Sequence, residues 1–283
     1  MDDSYLQKKS LNIRGGEIFY YLDDSFPGQP FVVFLHGLSS NHTTWLNIIK
    51  ILHANKYNCL APDMRGHGHS DKTKNKELYK LNIFSDDLRE IIKNEQIKDF
   101  ILVGYSFGGQ VAIDYAARYS EYVKGLVLIS ANHAPPLKYL RLNFLTPLTS
   151  GILNLLAALL LWQKRQNYHY YQHGQAVGYW DSVWDGLRTM PISVNFWMLA
   201  QVAKINLENE IKQIKVPTIL VYGRKDPFIT QAEINDMAKA IPEAQLIISK
   251  NPSHFVGTNA QDETAQIILN FMKIMPGSEN SAV

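Results

Sequence analysis

Gly104-Tyr105-Ser106-Phe107-Gly108 sets a serine between glycines, directly after the apolar run Phe100-Ile101-Leu102-Val103 and directly before a helix-compatible stretch beginning at Gln110. A serine at the apex of a strand, sharp turn and helix is held in a strained backbone conformation that lifts its hydroxyl clear of its neighbours. The flanking glycines are needed because a Cβ would collide with strand or helix. Ser106 is therefore the candidate nucleophile. A serine hydroxyl attacks nothing at neutral pH without a base, so a histidine must follow, with an acid to orient it, in the order Ser, Asp or Glu, His.

Both partners occur in that order. The buried-strand pattern Val216-Pro217-Thr218-Ile219-Leu220-Val221-Tyr222-Gly223 ends in the turn segment Arg224-Lys225-Asp226-Pro227, which holds Asp226 at the strand's carboxyl end. The apolar run Ala244-Gln245-Leu246-Ile247-Ile248-Ser249 leads into Lys250-Asn251-Pro252-Ser253-His254-Phe255, a polar loop that delivers His254 to the same rim. Taken singly, Asp226 reads equally as a turn residue beside Pro227 and His254 as a loop histidine. The informative feature is the constellation, three residues in the required order at matching strand ends.

With these segments in hand the chain resembles an α/β-hydrolase of the single-domain esterase, lipase and C-C hydrolase type over nearly its whole length. The matching segments are Phe34-Leu35-His36-Gly37-Leu38, Pro62-Asp63-Met64-Arg65-Gly66-His67-Gly68-His69-Ser70, Gly104-Tyr105-Ser106-Phe107-Gly108-Gly109, Gly223-Arg224-Lys225-Asp226 and Ser253-His254-Phe255. The resemblance implies an oxyanion hole made by the backbone amides of Leu38 and Phe107. Acyl-transfer chemistry agrees with it, since fixed donors aimed at the developing negative charge are worth a few kcal/mol each. It further implies two-step acyl transfer to water through an acyl-enzyme, with no cofactor. A serine at position 106 separates the chain from relatives such as haloalkane dehalogenases and epoxide hydrolases, whose chemistry needs an aspartate there. A C-C bond hydrolase, lactonase or thioesterase would share the triad, with Arg141, Arg165 and Arg188 as donors for a substrate carboxylate. A ligand sensor built on the same architecture is the non-enzymatic alternative.

The elements that must position these residues alternate along the chain. Leu11-Asn12-Ile13 and Glu17-Ile18-Phe19-Tyr20-Tyr21 read as an edge hairpin across Arg14-Gly15-Gly16. Residues 31–35, 58–61, 100–103, 125–129, 218–222 and 246–248 are short apolar runs suited to strands covered on both faces. Helical patterns lie between them, at about 43–55, 82–95, 110–119, 231–241 and 262–274. The expected fold is α/β, a mostly parallel, doubly covered sheet with an inserted α-helical cap, and its chemistry lies at the carboxyl ends of the strands. The core domain comprises 1–130 and 216–283, and the cap 131–215.

The cap is the compositional anomaly. No charged residue occurs from Leu142 to Gln163, and residues 152–162 are nearly all apolar. Asn143, Thr146-Pro147, Thr149-Ser150-Gly151 and Asn154 interrupt the stretch, leaving an apolar run shorter than the ~20 residues a membrane span needs. The expectation is a helix buried against the core, with Leu155, Leu156, Leu159 and Trp162 lining an apolar substrate pocket over the polar triad. Tyr105 and Phe255, the chain neighbours of nucleophile and base, complete the candidate pocket. Peripheral contact with lipid, with Trp162 and Lys164-Arg165 at the boundary, ranks behind burial because the leucines surround the helix too evenly for a clear polar face.

Composition bounds the rest. The 283 residues carry 28 basic against 26 acidic side chains, a net charge of +2, which leaves no electrostatic footprint for nucleic acid. The expected partner is a small-molecule ester or acyl compound. Cys59 has no second cysteine with which to pair and reads as core packing. The acidic start Met1-Asp2-Asp3 has no apolar segment of the secretory type behind it, so cytoplasmic residence is the default expectation. Residues 276–283, mostly small or polar, read as a frayed end. His67 and His69 alternate in a Gly-rich turn and read as loop structure. His169 and His173 stand at i, i+4 but lack the glutamate of a metallohydrolase, so no metal site is assigned. His36 reads as a loop-shaping residue, and the aromatics between Tyr168 and Trp184 as packing or pocket lining.

Overall fold

The computed structural model describes residues 4–160 and 189–274 of the chain. Among these, eight strands form one sheet: β1 (Gln7–Ile13), β2 (Gly16–Asp23), β3 (Phe31–Leu35), β4 (Asn58–Pro62), β5 (Phe100–Tyr105), β6 (Val123–Ile129), β7 (Thr218–Gly223) and β8 (Ala244–Ser249). Their spatial order is β1-β2-β4-β3-β5-β6-β7-β8. The hairpin β1-β2 joins β4 antiparallel, and the pairs from β4 through β8 are parallel.

Side-chain alternation along the strands divides the core in two. Val33, Leu35, Leu102, Leu126, Leu128 and Leu220 face one side, where α2 (Leu81–Asn94), α3 (Phe107–Arg118) and α6 (Gln231–Ala240) cover them. Val32, Phe34, Ile101, Val103, Val127 and Val221 face the other, against α1 (Leu46–Ala54) and α7 (Gln261–Ile274). Because successive residues of a strand point to opposite faces, near-continuous apolar runs are what a sheet covered on both faces requires. Cys59 is buried in the second of these layers.

Chain order reverses around β3. The chain runs from β3 to β4 on one side and then crosses to β5 on the other, which makes the β3/β5 boundary a topological switch point where loops diverge and leave a crevice. Residues 36–41 leave β3 there, and Ser106 follows β5.

Between β6 and β7 the described residues hold helices and no strand, chiefly α4 (Thr146–Leu159) and α5 (Ile192–Val202), packed on each other. The α5 segment reaches the core. Val194 and Met198 are buried in the cluster that holds Met64, Tyr79 and Phe107, and Trp197 lies 6.1 Å from Tyr79 between ring centroids.

Helix α4 departs from the expectation of burial. Leu155, Leu156 and Leu159 are 59%, 38% and 69% exposed, while the residues it buries are Ser150 and Ala157. The close approach explains this choice, since Ser150 Oγ donates to the Ala200 carbonyl of α5 at 3.1 Å, and only small side chains allow two helices so near. No helix among the described residues is long and apolar enough to cross a membrane. Trp162, Lys164-Arg165, His169, His173, Arg188, the aromatics from Tyr168 to Trp184 and the tail 275–283 lie outside the described residues.

Candidate active site

Ser106 caps the amino end of α3 with φ +52° and ψ −116°, a conformation L-residues rarely adopt. The turn is held by close packing. A Cβ on Gly104 would lie 2.6 Å from the Gly109 Cα, and one on Gly108 would overlap the Leu35 and His36 carbonyls. The Ser106 amide donates to the Ile129 carbonyl at the end of β6, 2.9 Å away, which pins the turn to the sheet. Helix α3 starts at Phe107, three residues before the expected Gln110, because the two glycines that lower helix propensity are the ones that let its first turn approach β3.

His254 Nε2 lies 3.0 Å from Ser106 Oγ, and its Nδ1 lies 2.7 Å from Asp226 Oδ2. A carboxylate only accepts, so Nδ1 carries the hydrogen, leaving Nε2 as the lone pair that faces the hydroxyl. Asp226 Oδ1 accepts the backbone amides of Phe228 and Ile229 at 2.8 and 3.1 Å, which fixes the carboxylate's plane. The loops that carry acid and base are clamped together, since the Lys225 amide donates to Pro252 O at 2.6 Å and Gly223 leaves no room for a Cβ beneath Ser253. The Asp226 side chain is fully buried and His254 is 8% exposed, so the pair works largely out of water.

Three rings surround the imidazole: Phe228 at 5.0 Å, Phe255 at 5.7 Å and Tyr105 at 5.8 Å between centroids. Tyr105 is buried and its ring fills the space beside Gly37 and Gly257, so it packs behind His254, unlike the pocket lining expected of it. Phe228, overlooked in the sequence, is 55% exposed and takes the position over the base. Its only sequence signal was adjacency to Asp226-Pro227.

The Leu38 and Phe107 amides lie on the two loops that meet at Ser106. A Cβ on Gly37 would stand 3.5 Å from the Ser106 Cβ. Among the described residues neither amide N–H donates to a protein acceptor. Phe107 is the first residue of α3, where an N–H has no intrahelical partner and the helix dipole favours negative charge.

His36 orients the Leu38 amide. Its Nε2 accepts the Met64 amide at 3.0 Å, so Nδ1 carries the hydrogen and donates to the Gly37 carbonyl at 2.8 Å. Burial depresses its pKa to about 4, which keeps the ring neutral. With the Gly37 carbonyl held by His36 and by the Ser40 amide, the planar trans peptide turns the Leu38 N–H to the opposite side. Further along the loop, Ser39, at φ +59°, donates from Oγ to Asn195 Oδ1 of α5 at 2.6 Å. The loop's far end is tied to Asp63, whose carboxylate accepts the His42 amide and ring at 2.9 and 2.8 Å and the His69 amide at 2.8 Å. Burial pushes the Asp63 carboxyl up, but the charge and hydrogen bonds of His42 and the hydrogen bond from His69 outweigh it and hold it well below the usual carboxylate range. His67 donates within its own turn to Arg65 O, and His69 Nδ1 meets Tyr21 Oη at 2.8 Å, so the histidines of the 62–70 segment are built into the loops.

One buried carboxyl sits near the acid. Glu233, 1% exposed on α6, has its pKa raised to about 7, first by burial and also by the Asp226 charge. A carboxyl whose folded pKa lies above its unfolded value adds stability below about pH 4.5 that is lost as pH rises through 7. The full difference is about 3 kcal/mol at ~1.4 kcal/mol per unit. Thermal melts of wild type and Glu233→Gln are expected to converge at pH 5 and separate at pH 8, with the variant the more stable at pH 8. An equal difference at both values contradicts the assignment.

A family model described as serine aminopeptidase, S33, matches residues 28–256. The chain is 27% identical to Lipase 1 of Psychrobacter immobilis over 285 residues, covering 96% of this chain and 86% of that one. It is 26% identical to Epoxide hydrolase 3 of Xenopus tropicalis over 298 residues, covering 95% and 77%. Among solved structures, the enol-lactonase from Burkholderia xenovorans LB400 superposes with a TM-score of 0.73 at 18% identity, covering 94% of this chain and all of that one.

Proposed function

The chain belongs to the α/β-hydrolase family whose model matches it from residue 28 to 256, and on that premise we propose that it is a serine hydrolase cleaving carboxylic esters with an apolar acyl group. What carries the reading is the hydrogen-bonded line from Ser106 Oγ through His254 to Asp226, 3.0 and 2.7 Å, at the switch point of the sheet. In the first half-reaction His254 Nε2 takes the Ser106 proton as the oxygen attacks the ester carbonyl. The tetrahedral oxyanion lies between the Leu38 and Phe107 amides. His254 then returns the proton to the departing alcohol, and water repeats the sequence on the acyl-enzyme.

An epoxide hydrolase reading, raised by one relative, lacks its aspartate nucleophile, since position 106 is serine. An apolar acyl group fits the surroundings: Leu38, Phe228 and Phe255 offer carbon surface around the triad, and the similarity to a lipase points the same way. The segment 131–215 acts in this reading as a cap, with α5 as its fixed part, joined to the oxyanion loop through Ser39 and Asn195. Leu155, Leu156 and Leu159, exposed on α4, are not assigned to the pocket in this reading.

Hydrolysis of p-nitrophenyl esters from acetate to palmitate tests the proposal. Turnover is expected on the series, with kcat/KM peaking at one chain length. Absence of turnover on every chain length contradicts ester hydrolysis and moves the reading to a lactone, thioester or C-C bond substrate, or to a ligand sensor.

A further inference from the structure

Helix α4 is built inside out for a helix in water. Its narrow inner face, buried at Ser150 and Ala157 and half-buried at Leu153 and Asn154, touches α5 through Ser150, while the exposed Leu148, Ile152, Leu155 and Leu159 recur at spacings of four, three and four. Phe144, Leu148 and Ile152 are 71%, 60% and 49% exposed, and Leu140 and Leu142 extend the patch before the helix begins. Large side chains outside and small ones at the helix contact is the arrangement expected where the surroundings are hydrocarbon and burying leucine between helices gains nothing. A patch of this kind is more than scattered surface leucine and marks an interaction site.

The charges beside it select the occupant. Arg141, between Leu140 and Leu142, and Lys204, one turn past the Ala200 that Ser150 touches, are exposed, and among the described residues neither has a carboxylate at ion-pair distance. The described residues between β6 and β7 hold five Lys and Arg against two Asp and Glu. A second copy of the chain on this face would bring the same unpaired cations towards each other. An anionic lipid surface supplies both the hydrocarbon and the counter-charge.

We propose that the outer face of α4 docks the protein on anionic membranes, with the helix lying in the interface plane and Arg141 and Lys204 at the headgroups. At about 21 Å the helix is too short to cross a bilayer and suited to lying along one. Docking rests on the surface of α4 and not on the ester-hydrolase reading, so each can fail without the other.

The test is co-sedimentation of the full chain carrying Ser106→Ala, which keeps lipid intact, with vesicles of phosphatidylcholine alone and of phosphatidylcholine and phosphatidylglycerol in equal parts. Binding is expected on the mixed vesicles, weakening with salt, and falling about tenfold or more in Leu148→Gln/Ile152→Gln and several-fold in Arg141→Gln. Leu148→Gln/Ile152→Gln in the Ser106 protein is expected to leave turnover of a soluble butyrate ester and the melting temperature near wild type. No sedimentation with either vesicle overturns the proposal, as does binding that the double variant leaves unchanged. A dimer that the double variant dissolves, without vesicle binding, overturns it in favour of self-association.

Discussion

Ser106→Ala is expected to reduce kcat on the best p-nitrophenyl ester by roughly a millionfold, leaving only what the oxyanion donors and binding provide. The substitution removes one oxygen. The turn survives, because it is held by the Ser106 amide on Ile129 O and by the packing at Gly104 and Gly108, none of which involves the side chain. The melting temperature should therefore stay close to wild type. Ser106→Gly is the companion variant. With φ at +52° the backbone is strained for any residue carrying a Cβ, so glycine should be as inactive as alanine and more stable by about 1 kcal/mol. Activity lost with stability unchanged separates a missing nucleophile from a damaged fold.

Asp226→Asn is the second large effect, a fall of about ten-thousandfold in kcat with little change in KM. Oδ1 is held by the Phe228 and Ile229 amides, which demand an acceptor, so the asparagine must place its oxygen there and turn its NH2 towards His254 Nδ1. That nitrogen then has to accept, the hydrogen moves to Nε2, and the ring presents a donor to Ser106 where a lone pair is required. The pH profile reads this out. Asp226→Asn should recover part of its activity at high pH, where a hydroxyl can be deprotonated without the ring. A variant that keeps wild-type activity contradicts the assigned acid.

The hydrogen-bonded set of Ser106, His254 and Asp226 was legible because each member sits at a place the strand pattern already defines. Parallel strands announce themselves as apolar runs, buried in β5 and β7 and half-buried in the edge strand β8, and Ser106, Asp226 and His254 each follow one of them at the same end of the sheet. Pairing and spatial order are a different matter. Nothing local in Phe31–Leu35 says that it lies between β4 and β5, yet that placement creates the crevice. The helix limits at Gln110 and Phe107 differ because glycine's local cost is overridden by the room it gives against β3.

Long-range polar contacts were the least legible part. His36 and Met64, His42 and Asp63, and Ser39 and Asn195 join residues 21 to 156 positions apart, and each member reads locally as a turn or loop residue. Only the fold shows that together they hold the loop that carries the Leu38 amide. Helix α4 illustrates the opposite limit. Its leucines are plain in the sequence, but hydrophobicity does not state what it will face, and here the inner face went to Ser150 and Ala157 because close approach to α5 excludes larger residues. The even spread of leucines that argued against a sided helix becomes, in three dimensions, a distinctly sided one.

The site's rigidity has a chemical consequence. Ser106, His254 and Asp226 stand at three separate strand ends, and the Leu38 and Phe107 amides, the proposed oxyanion donors, on a fourth loop and a helix start, so their alignment depends on the sheet and little on any one loop. Preorganised donors of this kind lower the barrier because they need not reorient as charge develops.

The central claim is that His254 activates Ser106 as a covalent nucleophile. Its most direct measurement is intact-protein and peptide mass spectrometry after brief exposure to an alkyl fluorophosphonate. A single adduct on the peptide carrying Ser106 is expected, absent in Ser106→Ala and strongly slowed in His254→Ala. An unmodified Ser106 in folded wild-type protein, or an adduct that forms equally fast without His254, contradicts it.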